Sequence, residues 1–356
     1  MSVKRKRIKG LDGLKVLALL GVLIYHTFPK VLPGGYLGVV LFFVISGYLS
    51  AYGNAEKMEN GKFQYGQYYL KRIVRLYPSL VVVMLATIAC MTLLDPIKLA
   101  NTQKEFCSVM FGYNNFWQIG MNADYFAQLS KNSPFTHLWY IAILLQFDLI
   151  FPLLLKGYVT LKEKCGITAA HLVSLLLVIA SACVMPVSYI VTKGNNVTAL
   201  YYSTFTRICP LLAGMLLGLL HAEKTRILNR HLKRPVFGLA ETLIWFVLYV
   251  VFYFKADGTA AWVYLFGMNI CALVACRMIE VLRASRFTGK LLENPISMWI
   301  GKYNYEIYLW QYPVLLLAGM LKFSDHLWQY GIQIMIIVVL SLWLNEFCSR
   351  LNKMIS

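Results

Sequence analysis

Acidic side chains are scarce in this sequence. Its 356 residues include only 16 Asp and Glu, against 34 Lys and Arg, and charged residues make up 14% of the chain. An ordinary soluble domain carries about 25% charged and about 45 to 50% apolar residues. Because 59% of this chain is hydrophobic, the composition excludes an ordinary soluble domain and indicates an integral membrane protein.

A basic stripe of the kind that binds nucleic acid is also missing. The formal net charge is +18, but the Lys and Arg residues lie in short segments between apolar runs rather than on one face of a polar domain. We therefore expect no nucleic-acid partner. The eight cysteines show no metal-ligand spacing and mostly fall inside apolar runs, so we interpret them as packing residues and expect no metal.

The small-residue pattern of a signal-peptide cleavage site does not follow the first apolar run. The basic N-terminus resembles the start of a signal peptide, but the apolar run after it holds Asp12, Lys15 and His26. We therefore interpret this run as a membrane span. Internal repeats, low-complexity tracts and a second domain are not apparent, so we treat residues 1–356 as a single membrane domain.

Ten apolar runs are long enough to cross a membrane. A helix needs about 20 apolar residues to span a hydrocarbon core about 30 Å thick. The sequence therefore predicts an all-α integral membrane protein with about ten transmembrane helices. The predicted spans are 11–28, 35–53, 76–95, 136–155, 168–191, 203–221, 236–254, 259–279, 297–320 and 327–348.

The distribution of basic residues between these spans predicts the orientation. If the N-terminus is cytoplasmic, the cytoplasmic segments hold 24 of the 34 Lys and Arg residues, and the outside segments hold seven. Cytoplasmic loops of membrane proteins carry such an excess. We therefore predict that both termini are cytoplasmic.

The first span carries two polar side chains on one predicted helix face. Lys15 and His26 are eleven residues apart, which is about 16 Å along a helix and close to three full turns. Ionisable side chains inside a span are costly and usually face a polar interior. We predict a cation near the cytoplasmic end of a polar path and an imidazole near its outer end. Asp12 is expected to cap the same helix.

Two arginines precede the third span on the predicted cytoplasmic side. Arg72 and Arg75 are three residues apart and therefore share a helix face. Guanidinium groups bind phosphates through a fork of N–H donors, so the pair suits a phosphorylated ligand. The alternative is contact with anionic lipid head groups.

The fourth span begins on the outside with His137, which the predicted orientation places in the same outer layer as His26. Histidine suits general-base chemistry because its unperturbed pKa, near 6.5, is close to working pH. Interfacial anchoring is the alternative, since Trp139 and Tyr140 are typical of the aromatic belt.

Further polar side chains fall inside spans or at their ends. Gln146 and Asp148 lie in the fourth span and are expected to face the bundle interior. Arg207, at the outer start of the sixth span, either faces the interior or extends to the membrane surface. The ninth span adds Asn304, Glu306 and Gln311.

Taken together, these residues predict a conduit for a phosphorylated cytosolic molecule whose reactive end reaches the outer surface. The long outside loop over 96–135 is rich in aromatic residues and is expected to form an interfacial or re-entrant lid. A transporter of a glycan precursor or small anion is the alternative. Transporters commonly contain internal repeats with interrupted helices at corresponding positions, and the sequence shows no such repeats.

Five motifs occur in a recognisable order: LDGLKVLALLGVLIYH, GGYLGVVLFFVISGYLSAYG, YYLKRIVRLYP, HLWYIAILLQFDLIFP and IGKYNYEIYLWQYP. Over nearly the whole chain, they resemble the membrane acyltransferase type 3 family. The resemblance implies a multi-pass inner or plasma membrane O-acyltransferase. It would transfer a group, often acetyl from acetyl-CoA, to a surface polysaccharide or other glycan. The implied partners are membrane lipid, acyl-CoA and the glycan acceptor.

The resemblance also implies roles for individual residues. Lys15 and His26 match the family signature of a basic residue, ten intervening residues and a histidine, and Arg72 with Arg75 matches its arginine pair. His26 would be the general base, the arginines would hold the phosphates of the donor, and Lys15 would lie where the donor enters. An acyl-histidine intermediate is the alternative to direct transfer.

Other residues are candidates for contacts with the substrate or with the oxyanion. His137 is a further catalytic candidate, because it could stabilise the oxyanion. The remaining candidates are Arg207, Tyr140, Gln146 and Asn304.

The sequence departs from the family pattern at several positions. Lys15 stands where arginine is commoner, Leu144 and Leu145 stand where acidic residues often occur, and Gln311 replaces a frequent histidine. Because of these replacements, we expect His26 to be the main acid–base catalyst. We expect no fused extracytoplasmic hydrolase-like domain after the tenth predicted span, and therefore either direct transfer or a separate extracytoplasmic transferase.

Overall fold

Helices account for the long apolar runs in the computed structural model, which describes residues 8–94, 105–121, 133–223 and 234–355. A backbone in hydrocarbon has to satisfy every N–H and C=O within the protein, and a helix does so along its own length. No strand occurs within these described ranges. The protein is an all-α integral membrane protein, as the composition predicts.

Fifteen helices are numbered here in chain order. They are α1 (Leu11–Thr27), α2 (Gly38–Glu59), α3 (Tyr65–Leu94), α4 (105–110), α5 (Asn114–Gly120), α6 (Trp139–Cys165), α7 (Ile167–Val191), α8 (Val197–Tyr202), α9 (Thr204–Arg207), α10 (Cys209–Ala222), α11 (Pro235–Lys255), α12 (Met268–Ala284), α13 (Arg286–Leu292), α14 (Pro295–Met320) and α15 (Leu327–Ile355).

The chain divides into two compact units. The first consists of Met1–Phe63 and Leu149–Gly301, and the second of Gln64–Asp148 and Lys302–Ser356. The first unit therefore holds α1, α2, the second part of α6, and α7 to α13. The second unit holds α3 to α5, the first part of α6, most of α14, and α15.

Eight of the described helices are long and apolar enough to cross a membrane. They are Gly35–Glu59, Tyr65–Leu94, Thr136–Cys165, Ile167–Val191, Thr204–Ala222, Val236–Lys255, Val263–Ala284 and Leu327–Leu351. Each coincides with one of the ten predicted spans. The total of ten spans and the cytoplasmic location of both termini stay predictions.

The first and ninth predicted spans form helices that are not among these eight, for two different reasons. The first, α1, has 17 residues and is about 26 Å long at 1.5 Å per residue, slightly less than the hydrocarbon thickness. The ninth, α14, has 26 residues but includes Asn304, Glu306 and Gln311, which lower its hydropathy.

The helix that contains the third predicted span begins about three turns before that span. We predicted 76–95, whereas α3 begins at Tyr65 and is 30 residues long. The segment before Leu76 contains Gln, Leu, Lys and Arg, which are good helix formers, so the helix extends beyond its apolar part. Arg72 and Arg75 therefore lie on α3 itself and share one of its faces, as their spacing predicts.

Glycines allow α2 and α10 to pack with their backbones in close approach. A Cβ atom on Gly47 would overlap the carbonyl oxygen of Leu211, and one on Gly214 would overlap the carbonyl oxygen of Val44. Gly218 lies one turn beyond Gly214, which gives the small-residue spacing typical of tightly packed membrane helices. This contact fixes the centre of the first unit.

We predict that Gly214→Val lowers the stability of the protein. The added side chain cannot fit without moving α2, and overpacking of this kind costs about 1 to 3 kcal/mol. Thermal unfolding of the purified protein in detergent measures the effect. The control is Gly53→Val on α2, where a Cβ atom meets nothing within 4 Å. An unfolding midpoint for Gly214→Val that equals that of Gly53→Val would contradict the prediction.

Candidate active site

The helix α1 carries the predicted pair Lys15 and His26 without interruption from Leu11 to Thr27. The side chains therefore share a helix face at two levels about 16 Å apart, as the spacing predicts. Tyr253 of α11 holds the middle of α1, because its hydroxyl donates to the carbonyl oxygen of Leu17 over 3.1 Å. The ring of Tyr253 lies where a Cβ on Gly21 would be.

Lys15 is paired with Asp12 one turn earlier on the same helix. The Lys15 ammonium lies 2.9 Å from Asp12 Oδ1, and both side chains are mostly buried. The capping role predicted for Asp12 was wrong, since the N-cap is Gly10, with φ 84° and no side-chain hydrogen bond to the helix. Asp12 instead fixes the position of the Lys15 ammonium.

Aromatic rings connect the C-terminal end of α1 to Arg207 within the first unit. The imidazole of His26 lies 6.0 Å from the ring of Tyr25, which lies 5.4 Å from the ring of Tyr36. The ring of Tyr36 lies 5.8 Å from that of Tyr201, and the Arg207 guanidinium carbon lies 4.6 Å above the Tyr201 ring. We call Tyr25, Tyr36 and Tyr201 the tyrosine row.

Arg207 is buried, with 2% of its surface exposed. One of its guanidinium nitrogens, Nη1, contacts the sulfur of Met268, and its charge lies over the face of Tyr201. One of the two alternatives predicted for Arg207, that its side chain extends to the membrane surface, is therefore wrong. The buried guanidinium stays a candidate for stabilising negative charge on a substrate oxygen.

In the second unit, Arg72 is held by a buried carboxylate. Its Nη2 lies 3.1 Å from Asp148 Oδ1, and the Tyr68 hydroxyl donates to the same oxygen over 2.9 Å. The Arg72 guanidinium also lies 5.3 Å from the centre of the Tyr68 ring. Asp148 is buried, as its position inside the fourth span predicts. It orients the Arg72 guanidinium.

Arg75, one turn further along α3, is exposed. It therefore differs from Arg72, although the sequence presents the two as an equivalent pair. Glu306 is buried and accepts a hydrogen bond from Asn345 over 3.2 Å. Asn304 is half-buried on the same helix, α14.

His137 is 1% exposed and is fixed by contacts within the second unit. Its Nε2 lies 3.2 Å from the Leu309 carbonyl oxygen, which can only accept, so Nε2 carries the proton. The Tyr308 hydroxyl donates to the His137 carbonyl oxygen over 2.6 Å. A neutral His137 in this tautomer offers Nδ1 as an acceptor only, so the geometry favours a packing role over donation to an oxyanion.

Tyr140 and Gln146 also make contacts inside the second unit. The Tyr140 ring packs 5.3 Å from that of Tyr308. The Gln146 amide donates to the carbonyl oxygen of Gly112 over 2.8 Å and to Asn115 Oδ1 over 2.9 Å. Gln146 therefore holds the connection between α4 and α5, and both hydrogens of its amide nitrogen are used in these contacts.

The described part of the outside loop contains a buried acidic residue that the sequence analysis missed. Glu105 is 2% exposed and accepts hydrogen bonds from Gln118 over 2.5 Å and from Asn114 over 3.2 Å. Burial raises the pKa of Glu105, although these hydrogen bonds act to lower it. The rest of the loop, 95–104 and 122–132, lies outside the described residues, so the predicted lid stays a prediction.

The tyrosine row and Tyr68 are the other residues that the sequence analysis missed. Tyr68 and Arg72 are four residues apart, so helical spacing alone brings them to one face. Their contact could therefore have been predicted from the sequence. The tyrosine row joins α1, the turn before α2 and α8. Nothing in the spacing of Tyr25, Tyr36 and Tyr201 along the chain indicates that their rings meet.

We predict that Arg72→Gln and Arg75→Gln have different effects on stability. Arg72→Gln leaves Asp148 buried with its charge unbalanced, which costs about 1 to 3 kcal/mol. Arg75→Gln changes an exposed residue and shifts stability by about 0.5 kcal/mol or less. Thermal unfolding in detergent measures both variants.

The double variant Arg72→Gln with Asp148→Asn is the control. It should recover most of the lost stability, because the buried carboxylate is replaced by a neutral amide. Equal unfolding midpoints for the two single variants, or no recovery in the double variant, would contradict this account of the Arg72 site.

Comparison with known proteins identifies the family of this chain. A family model described as "Acyltransferase domain" matches residues 8–346. The chain is 34% identical over 318 residues to "Putative peptidoglycan O-acetyltransferase YrhL" of Bacillus subtilis, which covers 86% of this chain and 48% of that protein. It is 30% identical over 314 residues to O-acetyltransferase OatA of Staphylococcus aureus, which covers 86% of this chain and 50% of that protein.

The chain spans about half the length of these relatives. No solved structure matches it. The family match extends over nearly the whole chain and includes α1, α2 with the turn before it, α3, the first part of α6 and α14, which carry the five motifs of the resemblance. This protein belongs to the acyltransferase type 3 family of membrane proteins.

Proposed function

We propose that this protein is a membrane O-acetyltransferase. It transfers an acetyl group from acetyl-CoA to a hydroxyl group of an extracytoplasmic glycan. The observation that carries the proposal is the tyrosine row, which connects His26, a candidate base, to Arg207, a buried cation, within one unit. The names of the relatives support O-acetyl transfer, and one of those names specifies peptidoglycan. Peptidoglycan is therefore the first acceptor to test.

In this proposal His26 is the general base. Its neutral imidazole takes the proton from the acceptor hydroxyl as the oxygen attacks the acetyl carbonyl carbon. The tetrahedral intermediate collapses, the carbon–sulfur bond breaks, and the CoA sulfur leaves with the proton that His26 holds. The position of His26 in the last turn of α1 supports this role, because the predicted orientation places that turn near the outer surface.

Arg207 is the proposed stabiliser of the oxyanion. A guanidinium in a buried site interacts more strongly with a developing negative charge than one in water does. The Tyr201 ring and Met268 fix the guanidinium on one side, so little reorganisation is needed when the charge forms. Of the sequence candidates, Arg207 fits this role better than His137, which already donates from Nε2 to a carbonyl oxygen.

Arg72 and Arg75 are the proposed contacts for the phosphates of the donor. Asp148 and Tyr68 hold Arg72 in one position, and such a fixed guanidinium loses less conformational freedom when it binds a phosphate. Arg75 is exposed and adds a second positive charge on the same face of α3. Lys15, fixed by Asp12, is the third cation assigned to the donor. The plasma membrane is the proposed location.

We predict that His26→Ala lowers the rate of acetyl transfer by about 10² to 10⁴, since general-base catalysis contributes this much. Purified protein in detergent is assayed for CoA release from acetyl-CoA in the presence of soluble peptidoglycan fragments. The control is His326→Ala, which changes an exposed histidine and should retain full activity. Full activity in His26→Ala, with unfolding equal to that of the wild type, would contradict the assignment.

Arg207→Lys tests the oxyanion role separately. Lysine keeps the charge but loses the planar fork of donors, and loss of one oxyanion contact costs about 10² to 10³ in kcat. The expected result is a lower kcat with a nearly unchanged KM for acetyl-CoA. A purely structural role would lower the unfolding midpoint and leave the kcat of the folded fraction unchanged, and that result would rule out the proposed role.

A further inference from the structure

A cavity of about 580 Å³ lies between α6, α7 and α10 in the first unit. This volume is within the range of small-molecule sites, about 300 to 1,000 Å³. Leucine is the commonest residue in the walls, and Leu153, Leu177 and Leu216 are among those that line them. None of the residues assigned above to acetyl transfer lines it.

Apolar residues that line the cavity are exposed at the surface of the protein. Leu153 is 70% exposed and Leu177 is 49% exposed, so hydrocarbon rather than water lies against them in a membrane. Gly157, on the α6 wall, adds to the open space, because a Cβ atom there would meet nothing within 4 Å. The shape and chemistry of the cavity therefore fit an acyl chain.

Two lysines on α6 also line the cavity. Lys156 and Lys164 are exposed, and neither forms an ion pair with the residues that the structure describes. Lys162, between them, does not line the cavity and is bound to Glu59 at 3.0 Å and to Glu223 at 2.6 Å. The two cavity lysines therefore offer positive charge to a ligand, whereas the charge of Lys162 is already balanced.

A buried tyrosine forms part of the cavity wall. Tyr158 lines the cavity and is only 4% exposed. Its hydroxyl oxygen is enclosed by protein, and its ring lies 6.0 Å from that of His171. Tyr158 therefore contributes ring surface to the cavity rather than a hydrogen-bond donor.

We propose that this cavity binds one anionic phospholipid. An acyl chain fills the leucine-lined space, and the phosphate lies against Lys156 and Lys164. The predicted orientation places the α6–α7 connection on the cytoplasmic side, where the leaflet is rich in anionic lipid. Lysine side chains near the end of a membrane helix extend readily to that surface.

Native mass spectrometry of the full chain in detergent tests the proposal. Delipidated protein is titrated with phosphatidylglycerol and with phosphatidylcholine of identical acyl chains. We expect about tenfold tighter binding of phosphatidylglycerol, because two lysines meet its net negative charge. Glycerophosphoglycerol, which has the same head group and no acyl chains, should bind at least tenfold more weakly than the intact lipid.

Variants separate the parts of the site. Lys156→Gln with Lys164→Gln should remove the preference for phosphatidylglycerol, whereas Lys57→Gln with Lys62→Gln, two exposed lysines outside the cavity lining, should preserve it.

Gly157→Leu places a side chain in the cavity and should weaken binding of both lipids at least tenfold. It improves helix propensity, so the folded protein is retained, and Gly53→Leu on α2 is its control. Equal affinity for the two lipids in the wild type would overturn the proposal. So would a preference for phosphatidylglycerol that persists in the double lysine variant, or unchanged affinity in Gly157→Leu.

Discussion

The hydrocarbon core of the membrane is the constraint on which this structure depends, because a polar side chain placed there must find its partner within the protein. Three of the cations in the chain are held by fixed neighbours. Lys15 has Asp12 at 2.9 Å, Arg72 has Asp148 at 3.1 Å, and Arg207 lies over the Tyr201 ring. In each case the contact that makes the charge tolerable also fixes its position, which is what a binding or catalytic group requires.

Local regularities made much of this arrangement predictable. The helices, the shared face of Lys15 and His26, and the shared face of Arg72 and Arg75 follow from apolar run length and from 3.6 residues per turn. The burial of Asp148 follows from the cost of exposing a carboxylate to lipid. The start of α3 was missed because polar helix formers extend a helix beyond its apolar part.

Contacts between distant parts of the chain were not predictable in the same way. The sequence does not show that Tyr36 meets Tyr201, or that Asn345 donates to Glu306, since each contact depends on tertiary packing. His137 illustrates the same limit. Its position at the start of a span makes it a catalytic candidate in the sequence. Its hydrogen bond to the Leu309 carbonyl oxygen is seen only in the folded chain, and that bond favours a packing role.

The central claim is that one membrane protein moves an acetyl group from a donor on one side of the bilayer to a hydroxyl on the other. Purified protein reconstituted into sealed vesicles tests this most directly, with [1-¹³C]acetyl-CoA enclosed and peptidoglycan fragments added outside. We expect labelled O-acetyl groups on the external fragments, with equal release of CoA inside. Label that appears only when donor and acceptor share a compartment, or no label at all, would contradict the account.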